Sequence, residues 1–334
     1  MPEPHPFARF IKILGRGKTL SRSLTIEEAE EAMTMILREQ VLPEQIGAFL
    51  MLLRVKEESP EEIAGFVRAA RALLSPLGHA PAVDLDWSSY AGKRRQLPWF
   101  ILAALLLASN GWRVFMHGTE GHTEGRVYTR EALRRLGIPI ASSFEEASAH
   151  LAARHFAYLP LERISPVLAD LIELRPVLGL RSPVHTLARM LNPFAARCVL
   201  QGIFHPSYMR IHQGAALALG EPHLAVFRGE GGEIERRPNK PCEVWTVHGE
   251  ATGIERWPAL LPESQQESDE EMNLDRLLAV WRGEIENPYA RAAVTGTLAI
   301  ALHALGAAAN MDEAQAKADA LWDARDRNRL AAVA

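Results

Sequence analysis

The chain has 334 residues, 48% of them hydrophobic and 23% charged, a composition that supports a sizeable core and excludes an extended, disordered protein. Its two cysteines, Cys198 and Cys242, exclude a disulfide framework, lack partners at zinc-site spacing and fit a reducing cytoplasm. A net charge of -4 argues neither for nor against a polyanionic partner, so the question passes to how charge is distributed.

Residues 1 to 23 read as an extended arm with a helical turn at FARFIKIL and a basic loop, GRGKTLSRS. No long apolar run precedes a small-residue cleavage site, so no signal peptide is expected. Arg9, Lys12, Arg16, Lys18 and Arg22 come here without one acid, which suits either a solvated terminus or a phosphate-binding arm. From Leu24 to Leu74 three amphipathic helices follow in close succession. Thr25 with Glu28, and Ser59 with Glu62, spell capping boxes, while Pro43 and Pro60 stand at first helical positions. Ala29, Met33, Ile36 and Leu37 share one face; Ile46, Phe49, Leu50 and Leu53 another; Ile63, Phe66, Val67 and Ala70 a third. Such apolar stripes need partners and predict a dimer contact.

Ser75-Pro76-Leu77-Gly78 and Pro81 break the helical pattern, dividing a small domain over 1–78 from a large one over 79–334. Strands are predicted at Val83-Asp84-Leu85, WRVFMH (112–117), HFAYL (155–159), CVLQGIF (198–204), HLAVF (223–227) and CEVWTVH (242–248), with helices between them. That alternation predicts an α/β fold with a helix-covered sheet. LPWFILAALLLA, from Leu97, falls short of the ~20 residues that span a bilayer and reads as a buried helix, so no membrane partner is expected. The tail from Leu274 to Arg329 is helical, with Asn287-Pro288 opening one helix and Asp312 capping the last; helices from both chain ends are expected to make up or flank the small domain.

Basic residues recur at Lys93-Arg94-Arg95 and along Leu174 to Gly220, where Arg175, Arg181, Arg189, Arg197 and Arg210 again have no acid among them. Glu263, Glu267, Asp269, Glu270 and Glu271 form an acidic loop. His185, His205 and His212 lack metal-ligand spacing and read as surface or core residues.

The pattern EEA…L…QIGAFLMLLRVK…EEIAGFVRAAR closely resembles the N-terminal helical domain of the anthranilate phosphoribosyltransferase family (glycosyltransferase family 3), and the resemblance continues in register to the C-terminus. It implies a nucleoside phosphorylase/phosphoribosyltransferase-like architecture: a small all-helical N-terminal domain, completed by helices of the large domain and used for dimerisation, and a large α/β domain with a mainly parallel central sheet.

Against the family's donor motifs the chain departs three times. Where a glycine-rich GTGGD loop should follow the first strand stand Trp87, Ser88, Ser89, Tyr90 and Ala91, whose bulk is expected to block the backbone approach that glycine permits. The Lys-His-Gly-Asn-Arg motif appears as Met116-His117-Gly118-Thr119-Glu120, with a carboxylate where a phosphate-binding arginine belongs. The metal-holding Asp-Glu pair falls in Gly229 to Glu235, which leaves Glu230 and Glu233 as weak metal candidates. The substrate-side motif survives as Arg175-Pro176-Val177-Leu178-Gly179-Leu180-Arg181-Ser182, followed by Leu191-Asn192-Pro193; these residues either clamp a carboxylate or build the turn. A residual pocket is accordingly expected from Tyr90, Gly92, His117, Gly118, Thr119, Arg175, Arg181 and Asn192.

These departures are similar to those of the family's YbiB-type nucleic-acid-binding paralogues, with Tyr90-Ala91-Gly92-Lys93-Arg94 and Met116-His117-Gly118 carrying the likeness. The resemblance implies a homodimer without catalytic residues or cofactor that binds single- or double-stranded DNA or RNA without sequence preference. Lys12, Arg16, Lys18, Arg22, Lys93, Arg94 and Arg95 are the expected contacts. Trp87, Tyr90 and Trp99 either stack unpaired bases or pack in the core. The alternative is an active glycosyl- or phosphoribosyltransferase with altered donor or acceptor, which would use magnesium.

Overall fold

The computed structural model describes residues 3–17, 19–74, 81–121, 123–262, 269 and 271–330. Lys18, the Ser75-Pro76-Leu77-Gly78 break, and Glu263, Glu267 and Glu270 of the acidic loop lie outside them.

Four helices open the chain: α1 (Ala8–Gly15), α2 (Ile26–Leu37), α3 (Pro43–Lys56) and α4 (Pro60–Leu73). Both capping boxes form. Thr25 Oγ1 accepts from the Glu28 N–H at 3.2 Å while the Glu28 carboxylate accepts from the Thr25 N–H at 3.0 Å. Ser59 and Glu62 reciprocate in the same way. The apolar stripes are consumed inside the protomer: Met33, Ile36, Phe49, Leu50, Leu53, Ile63, Phe66 and Val67 are all buried in one cluster. Within it the rings of Phe7, Phe10, Phe49 and Phe66 meet edge to face. The expectation that these stripes need a second chain is therefore corrected, because the neighbouring helices and the sheet already cover them.

The large unit is a seven-stranded sheet of order β3-β2-β1-β4-β5-β6-β7. Its strands are β1 (Leu85–Ser89), β2 (Val114–Gly118), β3 (Phe156–Pro160), β4 (Cys198–Ile203), β5 (His223–Arg228), β6 (Cys242–His248) and β7 (Ala251–Trp257). The first five are parallel, while β6 and β7 run antiparallel along one edge. The α/β architecture, helical N-terminal part and mostly parallel sheet are thus as the sequence predicts. Two details differ. β1 runs on to Ser89, past the predicted Val83-Asp84-Leu85, and its extent was hidden because Asp86, Ser88 and Ser89 are buried in the sheet despite their polarity. β7, whose residues alternate largely in the open, escaped the apolar criterion.

One sheet face packs under the N-terminal helices through Phe115, Ala157, Val199, Leu224 and Val226. The other packs through Leu85, Trp87, Met116, Leu200 and Phe227 against α5 (Phe100–Ser109) and the helices Pro288–Ala304 and Met311–Asp323. The C-terminal helices therefore cover the face opposite the small domain, and their last N-cap is Asn310 rather than Asp312. Among the described residues no helix is long and apolar enough to cross a membrane.

Candidate functional site

In an open parallel sheet, ligands bind beyond the carboxyl ends of the strands where the strand order reverses. Here that point lies between β1 and β4, which lead off to opposite edges. A cleft opens there, with Ala91 after β1, Phe204 after β4, Arg181 and Arg189 on its walls, and Arg54 and Glu58 reaching in from the N-terminal helices.

The turn after β1 is built to hold an anion and already holds one. The N–H groups of Ala91 and Gly92 both donate to Glu233 Oε1, at 2.7 and 2.6 Å, and Ser89 Oγ donates to Glu233 Oε2 at 2.8 Å. Converging backbone amides of this kind form a general anion cradle. Gly202 and Gly229 make the insertion possible, since a Cβ on either would run into the backbone of Glu233. Two residues on, Glu235 Oε2 accepts from the Phe100 N–H at 2.9 Å at the start of α5, and its Oε1 pairs with Lys93 Nζ. The segment 230–235 thus delivers two carboxylates, one to the turn and one to a helix start.

This geometry revises several sequence expectations. Trp87 and Tyr90 point into the core and do not screen the turn's amides; an internal carboxylate occupies them instead. Glu233 is fully engaged and Glu230 pairs with Arg237, so neither is free to serve a metal. Among the described residues no group of three or more His, Cys, Asp or Glu could hold one. Glu120 turns to Arg130.

Lys93 is corrected most sharply. Its side chain is 1% exposed and paired with Glu235, which is 0% exposed, so its ammonium is not on the surface. Burial still pushes the Glu235 carboxyl up to about 7 against the pull of Lys93. Arg94 and Arg95 are exposed as expected. Beside them the Asp269 N–H bonds Arg95 O and the Asp269 carboxylate accepts from the Leu97 N–H, so part of the acidic loop sits against the basic cluster. Arg22 is likewise matched, by a two-point pair with Glu28 at 2.6 and 2.7 Å, and its hydrogen bonds hold the Glu28 carboxyl down at about 2. Lys12 and Arg16 are exposed.

Below the cleft runs a buried chain of polar groups. Tyr90 Oη lies 2.7 Å from His117 Nδ1, and His117 Nε2 lies 3.2 Å from Asp86 Oδ1. All three side chains are buried, and burial raises the Tyr90 phenol well above its ordinary value. Trp87 and Trp99 are also buried, so of the two roles open to these aromatics they and Tyr90 take core packing, and no incoming base can reach them. Gly118 and Thr119 close the β2 end, with Thr119 buried. Asn192 belongs to the turn: its side chain bonds both Ala196 backbone groups and Glu221.

What the structure brings together is a set of arginines, several of which the motif comparison passed over. Arg126 donates to the carbonyls of Ala91 and Gly92 at 2.8 and 3.0 Å, immediately beside the filled cradle. Arg175 and Arg181 both reach Thr123 Oγ1. Arg189 lies over the Tyr90 ring at 5.7 Å. Burial, then the neighbouring Arg189, Arg175 and Arg126, pull the Arg181 guanidinium down to about 10. Among the described residues, no ion pair gives a carboxylate to Arg126, Arg181 or Arg189. Glu58 is the cleft's buried acid, and burial raises its pKa, favouring the neutral form. His212 beneath Arg189 is held neutral, its pKa pushed down to about 3 by burial.

A helical N-terminal domain over a mostly parallel sheet, with the cleft at the β1/β4 reversal, is the architecture that the sequence resemblance implies. The family described as "Glycosyl transferase family, helical bundle domain" matches residues 8–73. Anthranilate phosphoribosyltransferase of Novosphingobium aromaticivorans is 31% identical over 294 residues, 86% of this chain and 88% of that protein. YbiB of Escherichia coli is 27% identical over 254 residues, 74% of this chain and 78% of that protein. Anthranilate phosphoribosyltransferase from Thermus thermophilus shares the fold, with a TM-score of 0.76 over 96% of this chain and 94% of that one at 23% identity. The chain belongs to the anthranilate phosphoribosyltransferase family.

Proposed function

We propose that this chain is a family member whose donor site is closed by its own Glu233, and that its arginine-lined cleft binds nucleic acid without sequence preference. The observation that carries the reading is the convergence of Arg126, Arg181 and Arg189, none of which forms an ion pair among the described residues, beside an anion cradle already filled from within. Crowded guanidiniums repel one another, and a phosphodiester entering the cleft relieves that repulsion. Arg94, Arg95, Lys12, Arg16 and Arg228 are further cations exposed on the surface. Backbone phosphates need no base reading, which accounts for the absence of sequence preference.

The expected result is binding at low salt that weakens steeply as salt rises, with a log-log slope of about -0.9 per phosphate contact on duplex and about -0.7 on single strands. Arg94→Ala with Arg95→Ala should flatten that slope by ~1 to 2, and Arg181→Ala by ~1, alike for unrelated sequences. Fluorescence anisotropy across a salt series checks this; slopes unchanged in both variants overturn the assignment. An active glycosyl- or phosphoribosyltransferase with altered donor or acceptor is the competing reading, favoured by the cleft's position at the sheet's reversal point. It requires that the parent protein consume a sugar-phosphate donor, which an assay for released phosphate or pyrophosphate measures.

A homodimer is part of the same proposal, on different grounds from the stripes. Leu42 at the start of α3, and Val177 (79% exposed) and Leu180 on the neighbouring segment, leave apolar surface open. Gly47 of α3 faces Leu178, which puts these residues on adjoining surface. Sedimentation should give a dimer burying above ~1,000 Å². A monomer that persists at micromolar protein refutes it.

A further inference from the structure

Phe204 is the one Phe, Tyr or Trp among the described residues in the exposed class, with 44% of its surface open. It follows directly on β4, whose residues are all buried, and stands at the mouth of the arginine-lined cleft. Its backbone and Cβ rest against Gly232, and Gly232 also approaches Ala91, so the ring's base is fixed to the segment that carries Glu233. The Arg228 guanidinium lies over the ring, 5.9 Å from its centre, and the His205 ring meets it edge-on at 4.9 Å. Arg228 is exposed and, among the described residues, forms no ion pair. The result is a partly open aromatic ring at a strand terminus, with Arg228 at one side of it and the arginine-lined cleft at the other.

We propose that Phe204 is a stacking platform for an unpaired nucleobase, and that the nucleic acid this cleft takes is therefore single-stranded. The inference rests on the nucleic-acid reading above and narrows it. Any base can stack on an aromatic face, which preserves indifference to sequence, while the bases of a duplex are already stacked on one another and present no free face. A strand with one base on Phe204 has its adjoining phosphates within the field of Arg228 on one side and of Arg181 and Arg189 on the other. Guanidinium and ring then act together, the cation holding phosphate while the ring holds the base.

The test compares an oligothymidylate, the same strand with abasic sites, and a duplex of equal length, at low salt, for the parent, Phe204→Ala and Phe204→Trp. Because the ring is exposed, its removal leaves the core intact, and circular dichroism of each variant verifies this. Phe204→Ala should weaken oligothymidylate binding by on the order of tenfold while leaving duplex and abasic-strand binding unchanged. Phe204→Trp should retain single-strand affinity. Equal binding of oligothymidylate by parent and Phe204→Ala overturns the platform while the nucleic-acid reading stands. An equal loss on duplex and single strand assigns the ring to general packing and also overturns it. A mononucleotide that binds as tightly as the oligonucleotide overturns it in favour of a small-molecule pocket, and no binding of any nucleic acid by the parent removes both readings together.

Discussion

Replacing Lys93 by alanine should destabilise the folded protein by about 3–5 kcal/mol, the penalty for leaving a buried charge without its partner. Both members of the Lys93–Glu235 pair are out of contact with water, so screening does not soften the loss. The sign with pH follows from Glu235. Its folded pKa, about 7, lies above the ordinary carboxyl value, so the folded state retains a proton that the unfolded chain has released. Its contribution is greatest below the unfolded pKa and is lost as pH rises toward about 7. Without Lys93 that pKa rises further, and the deficit of Lys93→Ala against the parent should be larger at pH 8 than at pH 6. Urea denaturation at both pH values measures it. Adding Glu235→Gln, which retains an acceptor for the Phe100 N–H, should recover much of the loss; an unchanged midpoint in the single variant disproves the pair's role. Arg94 and Arg95, not Lys93, are consequently the residues with which to test binding.

Removing the Glu233 carboxylate should give the second large effect, exchanging stability for a new affinity. In Glu233→Ala the Ala91 and Gly92 amides lose their acceptor, at a cost of about 1–3 kcal/mol for each buried donor left unmade, while the Ser89 hydroxyl keeps Thr129 Oγ1 at 2.6 Å. Inorganic phosphate or pyrophosphate can then enter the cradle with Arg126 beside it. The variant should be stabilised by these anions, by about 2.7 kcal/mol when they reach a hundred times their dissociation constant, whereas the parent should not respond. Thermal melts in phosphate against chloride at matched ionic strength distinguish the two. Identical responses from parent and variant would mean that the turn is not an anion site.

The sequence made the scaffold legible because the scaffold is written in local signals. Thr25 with Glu28 and Ser59 with Glu62 announce helix starts within four residues, and the apolar runs at 198–203 and 223–228 announce buried parallel strands. β1 was misplaced because its buried polar residues are satisfied from far along the chain: Ser89 by Glu233, and Asp86 by His117. The same remoteness hid the site. Lys93 and Glu235 are 142 positions apart, and nothing in Lys93-Arg94-Arg95 separates the one buried cation from its two exposed neighbours. Phe204 was concealed by the opposite effect, since a phenylalanine ending an apolar strand looks like one more core residue until the fold turns it outward.

The segment that carries Glu233 also bears on how the molecule responds to its surroundings. A visiting pyrophosphate is present at whatever level solution provides, whereas a carboxylate tethered by a short stretch of chain meets its donors at an effective concentration that reaches the millimolar range or above. Gly202 and Gly229 shape the backbone so that this tethered group fits. The cradle is in that sense filled from within, and its hydrogen bonds tie the end of β1 and the turn after it to the segment that follows β5. Small phosphate esters added to the native protein therefore have no vacancy to fill at this turn, and a ligand search that scores stabilisation would pass over it even though its amides are aligned for an anion.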